Sequence, residues 1–283
     1  MESPQISESK SKTVRLSPRL AVAVSYCSNE RPFVRALLRN ALLFADVVVV
    51  AVGSHLYTGE PEDEAHLAVL ELEFPQVVFV RYDVPSAMLP RPVELHNAAR
   101  KAAVRAVLRD LGAEPCWFLL LDGDEVPDGP AAAAWWRATG DALLPGAAYK
   151  MANFWYFLDP CLVADVTEDS VLLVHSSRLT DAALSHARER DGVLIHHGED
   201  LRVFRQVRGL DGRTLFHHYS WVREDRSALL RKVANWGHSG DRPWSALLTE
   251  HMDAYEGGRW PVRDFVHGHS LRRLDAPAFP ELI

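Results

Sequence analysis

Three carboxylates follow an unbroken apolar run in Phe118-Leu-Leu-Leu-Asp122-Gly-Asp124-Glu125. Gathered at the mouth of a buried strand they repel one another, and a divalent cation offsets that repulsion. Carboxylate oxygens suit Mg2+ or Mn2+, which in turn bridge phosphate oxygens. A solvated acidic turn leading into Pro127-Asp128-Gly129 is the plainer alternative. Histidine is the second unusual resource, because ten of the thirteen lie at or beyond His175. Imidazole suits Mn2+, which makes His218 of His217-His218-Tyr-Ser-Trp221 a candidate metal ligand, with His217, His238 and His267 behind it. In an alternating strand only one of His217 and His218 can face a site. His196-His197 falls in an expected loop, where a structural role is the simpler one. Two acidic pairs downstream, Glu168-Asp169 and Glu199-Asp200, offer carboxylates that could take a proton, with Asp200 and Asp169 foremost.

The elements that must position these groups alternate. Leu20 to Val24 reads as a short strand, and Pro32 near the first turn opens a helix over Phe33 to Phe44. Asp46 to Val52 is a β-branched strand of the kind buried on both faces. A helix over Asp63 to Glu73, a strand over Val77 to Tyr82, a helix over His96 to Leu111 and a strand over Trp117 to Leu121 continue the series. Such alternation implies βαβ crossovers, a mostly parallel sheet and ligands beyond the carboxyl ends of its strands. After Gly129 the pattern changes to a short helix (Ala131 to Arg137) and longer strands at Tyr149 to Leu158 and Val171 to His175. Arg202 to Val207 and Thr214 to Ser220 flank Asp211-Gly212, which predicts a hairpin. Helices over Arg226 to Trp236 and Trp244 to Tyr255 follow. The expected organisation is a flexible tail over 1–18 and one domain over 19–283, divided into halves near residue 130.

Four segments in order carry a resemblance: Ser25-Tyr-Cys-Ser-Asn29-Glu30, Ala45-Asp46-Val-Val-Val-Val-Ala-Val-Gly53-Ser54, His96-Asn97-Ala-Ala-Arg100 and Leu121-Asp122-Gly-Asp124-Glu125. Over about residues 20–130 the chain resembles a GT-A nucleotide-sugar glycosyltransferase of the family-2-like type. The pattern His217-His-Tyr-Ser-Trp221, Arg231-Lys232 and Trp236-Gly-His238 resembles the C-terminal part of a subgroup of such enzymes. The resemblance implies an α/β GT-A-like (Rossmann-like) fold with helices on both sheet faces and a C-terminal acceptor-side α+β extension. It implies a nucleotide-sugar donor, a glycan or other hydroxyl acceptor, and Mn2+ or Mg2+. Ser25, Asn29, Glu30, Asn97, Arg100 and Asp122 would then border the nucleotide-sugar. Asp124 would ligate the metal directly, Asp122 would reach it or the ribose, and His218 would be the third ligand. Lys232 would neutralise the departing diphosphate, unless it is a solvated charge on a helix whose buried face is Leu229, Leu230, Val233 and Trp236. Trp155 and Tyr156 would stack on a sugar ring. Gly198-Glu199-Asp200 is similar to the Glu-Asp motif of inverting members. One departure is Ala51-Val52-Gly53-Ser54, where many members carry an Asp pair.

Composition bounds the alternatives. With 31 Lys+Arg against 38 Asp+Glu, the formal charge of −7 argues against a nucleic-acid-binding face. Three cysteines without a CxxC pair fit a reducing compartment, and the polar start lacks the apolar core of a secretory signal. No apolar run is long enough to span a bilayer, so a cytoplasmic protein without a transmembrane segment is expected. A haloacid-dehalogenase-like phosphohydrolase would use Asp122 as nucleophile. A zinc hydrolase could exploit His267-Gly-His269, although HExxH is absent. A non-catalytic GT-A-like binding protein is the remaining class.

Overall fold

A computed structural model describes residues 18–85, 92–111, 114–186, 190–259, 263–279 and 282. The expected N-terminal tail lies, except for its last residue, outside the described residues.

The strands are β1 (Arg19–Tyr26), β2 (Val47–Gly53), β3 (Val78–Tyr82), β4 (Cys116–Asp122), β5 (Glu125–Pro127), β6 (Ala147–His175), β7 (Arg202–Val207), β8 (Phe216–Val222) and β9 (Leu271–Arg273). The α-helices are α1 (Arg31–Ala41), α2 (Glu64–Glu73), α3 (Pro92–Leu111), α4 (Gly129–Thr139), α5 (Asp181–Leu184), α6 (Asp191–His197), α7 (Arg226–Ala234) and α8 (Trp244–Glu256). They form one sheet in the order β3-β2-β1-β4-β6-β8-β5, with β7 and β9 also paired to β6.

Strand alternation divides the core. Leu20, Val22 and Val24 of β1 pack on Phe33, Val34, Leu37 and Leu38 of α1. Ala21 and Ala23, with Ala51 of β2, face Ala99, Ala103, Val104 and Val107 of α3. Small residues on that face let α3 lie close to the sheet. Helix starts follow local chemistry: the side chains of Asp63, Asp128 and Asp225 accept the N–H groups of His66, Ala131 and Ala228.

The mostly parallel sheet is corrected to a mixed one. β3, β2, β1 and β4 are parallel, but β4 meets β6 antiparallel and β8 meets β5 antiparallel. The two strands expected at Tyr149 to Leu158 and Val171 to His175 belong to one 29-residue ribbon, β6. It doubles back, since the Oδ1 atom of Asn153 accepts both the N–H and the hydroxyl of Ser170, 17 residues away. A fully extended stretch of that length would span roughly 56 Å. Leu158, at φ 65°, lies in the reversal.

The hairpin at Asp211-Gly212 is also corrected. β7 and β8 both run parallel to β6, and Val207 opposite Met151 is followed by Phe216 opposite Asn153. The intervening residues loop out between two strands that continue along the same neighbour. Gly212, at φ 77°, turns its tip. His196 and His197 end α6 rather than lying in a loop. All three cysteines are free thiols. Among the described residues no helix is long and apolar enough to cross a membrane.

Candidate functional site

The carboxyl ends of β1 and β4 lie side by side, with Ser25 opposite Asp122. Glu125, one turn beyond, pairs with His218 of β8, which pairs with Trp155 of β6. Directly opposed residues share a face of the sheet, so Glu125, His218 and Trp155 form one row. His217 and Tyr156 occupy the other face, where the Tyr156 hydroxyl lies 2.8 Å from His217 Nδ1 and its ring stacks on Tyr219. Burial pushes the His217 imidazole down to about 4. Tyr156 is therefore a core residue, whereas Trp155 lines the cleft.

That cleft has a volume of about 610 Å³, and Glu30, Asp122, Asp124, Trp155, His218 and Lys232 are among its walls. Its chemistry is a lattice of four acids and four bases. Arg100 and Arg190 bind the two oxygens of Asp122 at 2.7 and 2.9 Å. Arg190 also grips Glu125, with Nη1 2.8 Å from Oε2 and Nη2 3.0 Å from Oε1. Lys232 bridges Glu30 at 3.2 Å and Asp124 at 3.0 Å. Arg223 reaches the same Asp124 oxygen, Oδ2, at 3.3 Å.

Asp124, at 1% exposure, is buried enough to favour protonation, but Lys232, His218 and Arg223 outweigh that and hold it well below the usual carboxylate range. Burial likewise opposes the charge on Lys232, yet Asp124 and Glu30 hold its ammonium above its ordinary value. The repulsion expected to call for a metal is thus largely answered by protein cations. Arg190 and Arg223 supply half of them, and neither stood out in the sequence. Arg190 sits in a charged run that resembles any solvated surface. Arg223 ends the His-Tyr-Ser-Trp-Val segment and had that proximity as its only signal.

The implied metal still has a place. Asp124 Oδ1 faces His218 Nε2 at 3.5 Å, long for a hydrogen bond and close to the spacing of two donors on one ion. Mn2+ and Mg2+ commonly take one or two protein ligands and complete their shell with phosphate and water. The donor pair therefore fits, with Asp122 held back by its arginines. The same arginines make Asp122 a poor nucleophile for the phosphohydrolase alternative, since both its oxygens are already engaged.

The remaining expected residues are placed as follows. Ser25 and Glu30 border a small pocket with Gly53, Tyr57 and His96 at the ends of β1 and β2. Asn29 is buried beside them, and Asn97 donates to the His186 carbonyl. Arg100 is buried on Asp122. Asp169 lines a neighbouring cleft, held by Lys150 and Arg205 at 3.2 and 3.3 Å. Asp200 is exposed on a single 3-10 turn after α6 and is not brought to either cleft. Glu168, of the expected acidic pair, and Trp236, of the Trp-Gly-His segment, also line the main cleft.

Glu30 carries a pH signature. Burial pushes its carboxyl up to about 7, against the pull of Lys232 and with Asp124 adding to the rise. The folded state therefore holds a proton that the unfolded chain releases from about 4.5, so stability falls as pH rises from 4.5 to 7. Glu30→Gln should flatten that slope in urea unfolding, with its advantage over the parent growing between pH 5 and pH 8. An unchanged difference across that range would contradict the assignment.

No protein-family model matches the chain, and no curated protein matches it by sequence. Among solved structures it is similar to the mannosyltransferase PcManGT from Pyrobaculum calidifontis in complex with GDP-Man and Mn2+, at 13% identity and a TM-score of 0.42 over 87% of this chain and 67% of that one. It is also similar to the inositol-1-phosphate CTP transferase from T. maritima, at 12% identity and a TM-score of 0.38, over 79% of this chain and 98% of that one. A glycosyltransferase involved in the glycosylation of the major capsid of PBCV-1 matches at 12% identity and a TM-score of 0.36, over 71% and 92%. These likenesses are distant; what the chain itself shows is an α/β fold, a mixed central sheet flanked by helices.

Proposed function

We propose that the chain transfers a sugar from a nucleotide-sugar donor to a hydroxyl acceptor. The observation that carries this is the pair Asp124 Oδ1 and His218 Nε2, set 3.5 Å apart on a cleft whose carboxylates Asp122 and Asp124 are already paired with protein cations. Carboxylates already paired and fixed in this way do not have to be shed before a diphosphate is accepted.

Asp124 and His218 would hold a divalent cation, whose chemistry there is Lewis-acid stabilisation of the diphosphate leaving group. Lys232 adds an ammonium on the same side, already oriented by Glu30 and Asp124. Arg100 and Arg190 hold Asp122 still at the strand end. The nucleoside would lie beyond the carboxyl ends of β1 and β2, near Ser25, Gly53 and Tyr57, where ligands of parallel sheets bind; the space there is about 20 Å³ and would have to open to admit it. Trp155 gives the cleft an aromatic wall for a sugar. Of the two acids expected to take the acceptor proton, Asp169 is the one that lines a cleft.

Release of UDP or GDP across a panel of sugar nucleotides, with Mn2+ and with EDTA, tests the proposal. One donor should turn over only with metal, and Asp124→Asn should lower the rate by roughly 10²–10³-fold. Turnover that survives Asp124→Asn at full rate would sink the metal assignment. A wild-type chain with neither turnover nor metal-dependent nucleotide binding would point to the non-catalytic alternative.

A further inference from the structure

The proposed donor site uses neither His267 nor His269 as a ligand, yet the fold gives both imidazoles one partner about 100 residues away. Glu168 Oε1 lies 2.8 Å from His267 Nδ1 and 3.0 Å from His269 Nε2. One donor atom from each of the three residues falls within 4.8 Å of the others. We propose that Glu168, His267 and His269 bind a borderline divalent cation of the Zn2+ type, at a site separate from Asp124 and His218.

The loop that presents the histidines is built rather than incidental. Asp264, at 2% exposure, accepts the N–H groups of Val266 and His267 on Oδ1 at 2.8 and 2.7 Å, and that of His269 on Oδ2 at 2.9 Å. Its own N–H donates to the His269 carbonyl at 3.0 Å. Gly268, at φ 76°, supplies the left-handed turn that sends two residues flanking it back to one carboxylate. The loop's end is tied to β6 through the Asp165 N–H on the Ser270 carbonyl and by β9. Trp155 braces the His267 ring edge-on at 4.7 Å between centroids.

The dimensions suit ligation. Donors about 2.0–2.2 Å from an ion are separated from each other by about 3–3.5 Å. The two separations from Glu168 need open by only a few tenths of an ångström, and the two imidazole nitrogens lie within 4.8 Å of each other. Both imidazole nitrogens converge on one carboxylate oxygen, so the three donors face a common point. Two imidazoles with one carboxylate select a borderline cation over Mg2+ or Ca2+, which prefer oxygen throughout. Three protein ligands leave a coordination position open. Glu168 and His267 line both clefts, so the open position is accessible to water or to a hydroxyl or carboxylate of a bound molecule.

Chelator-treated full-length chain titrated with Co2+ should show the visible absorption of one bound ion, displaced by Zn2+. His267→Gln and His269→Gln keep a hydrogen-bond donor for Glu168 but not an imidazole, and each should weaken Co2+ binding about 100-fold or more. Glu168→Gln should weaken it by at least about 10-fold, while Asp124→Asn should leave this ion in place. Thermal melts confirm that each variant is folded. Absence of Co2+ and Zn2+ binding by the wild-type chain would overturn the proposal. Binding lost in Asp124→Asn but kept in the paired histidine variant would overturn it equally. Because the readout is metal binding, failure of the glycosyltransferase assignment leaves this result legible by itself.

Discussion

Arg190→Met should cost about 3–5 kcal/mol of folding stability, the expected penalty for leaving buried carboxylates without their cation. Glu125 is fully buried, and Arg190 contacts both of its oxygens as well as Asp122 Oδ2 and the Leu120 carbonyl. The hydroxyl of Ser170 and the N–H of Asp122 also bind Glu125, but they bring no positive charge. Lysine should rescue little, because an ammonium cannot span two carboxylates as a planar fork does. Adding Glu125→Gln to Arg190→Met should recover part of the loss, so that the double variant is milder than the sum of the singles. Urea unfolding of the four proteins measures the coupling. Strict additivity would mean that Arg190 does not act through Glu125.

Trp221→Ala should be comparably severe, at about 3–5 kcal/mol, because it empties the centre of a satellite core. Trp221 is 1% exposed, and its ring centroid lies 5.2 Å from Trp236, 5.1 Å from Phe265 and 6.2 Å from Phe157. Leu229 and Val233 of α7 and Leu248 of α8 complete the cluster. That core seats α7, which carries Lys232, and the loop after Phe265, which carries His267. The damage should therefore reach both sites, seen as weakened Mn2+–UDP or Mn2+–GDP binding in calorimetry. Trp221→Phe should cost far less, since the indole N–H it removes has no hydrogen-bond partner among the described residues. Thermal unfolding separates the two variants; equal losses would mean that the cluster responds to the indole itself and not to volume.

Periodicity made the first half of the fold legible. Val47–Gly53 and residues 116–121 are apolar because both faces are covered, and α2 between them carries its own cap in Asp63. The strand order beyond β4 was not legible, because nothing in the sequence of β6 says which strands its two arms pair with. Asp211-Gly212 did mark a turn, yet turn chemistry says nothing about whether the flanking strands pair with each other or with a third. Of the site, Asp122, Asp124, His218 and Lys232 were readable, being chemically unusual where they stand. Arg190 and Arg223 were not, since a guanidinium in sequence looks alike whether it meets water or a buried acid. Tyr156 was misassigned for a simpler reason: adjacent aromatic residues in a strand point to opposite faces.

Lys232 lies 202 residues from Glu30 and 108 from Asp124. Closing loops of that length brings an entropic penalty that must be met before the contacts reward it, so such contacts form late. During synthesis the parallel half can assemble first, with its acids still hydrated and mutually repelling. Only when α7 docks do they acquire their shared ammonium and leave water. A ligand that depends on that ammonium therefore discriminates between a finished chain and a partly made one. Completeness of folding, in this protein, is reported at the place where binding occurs.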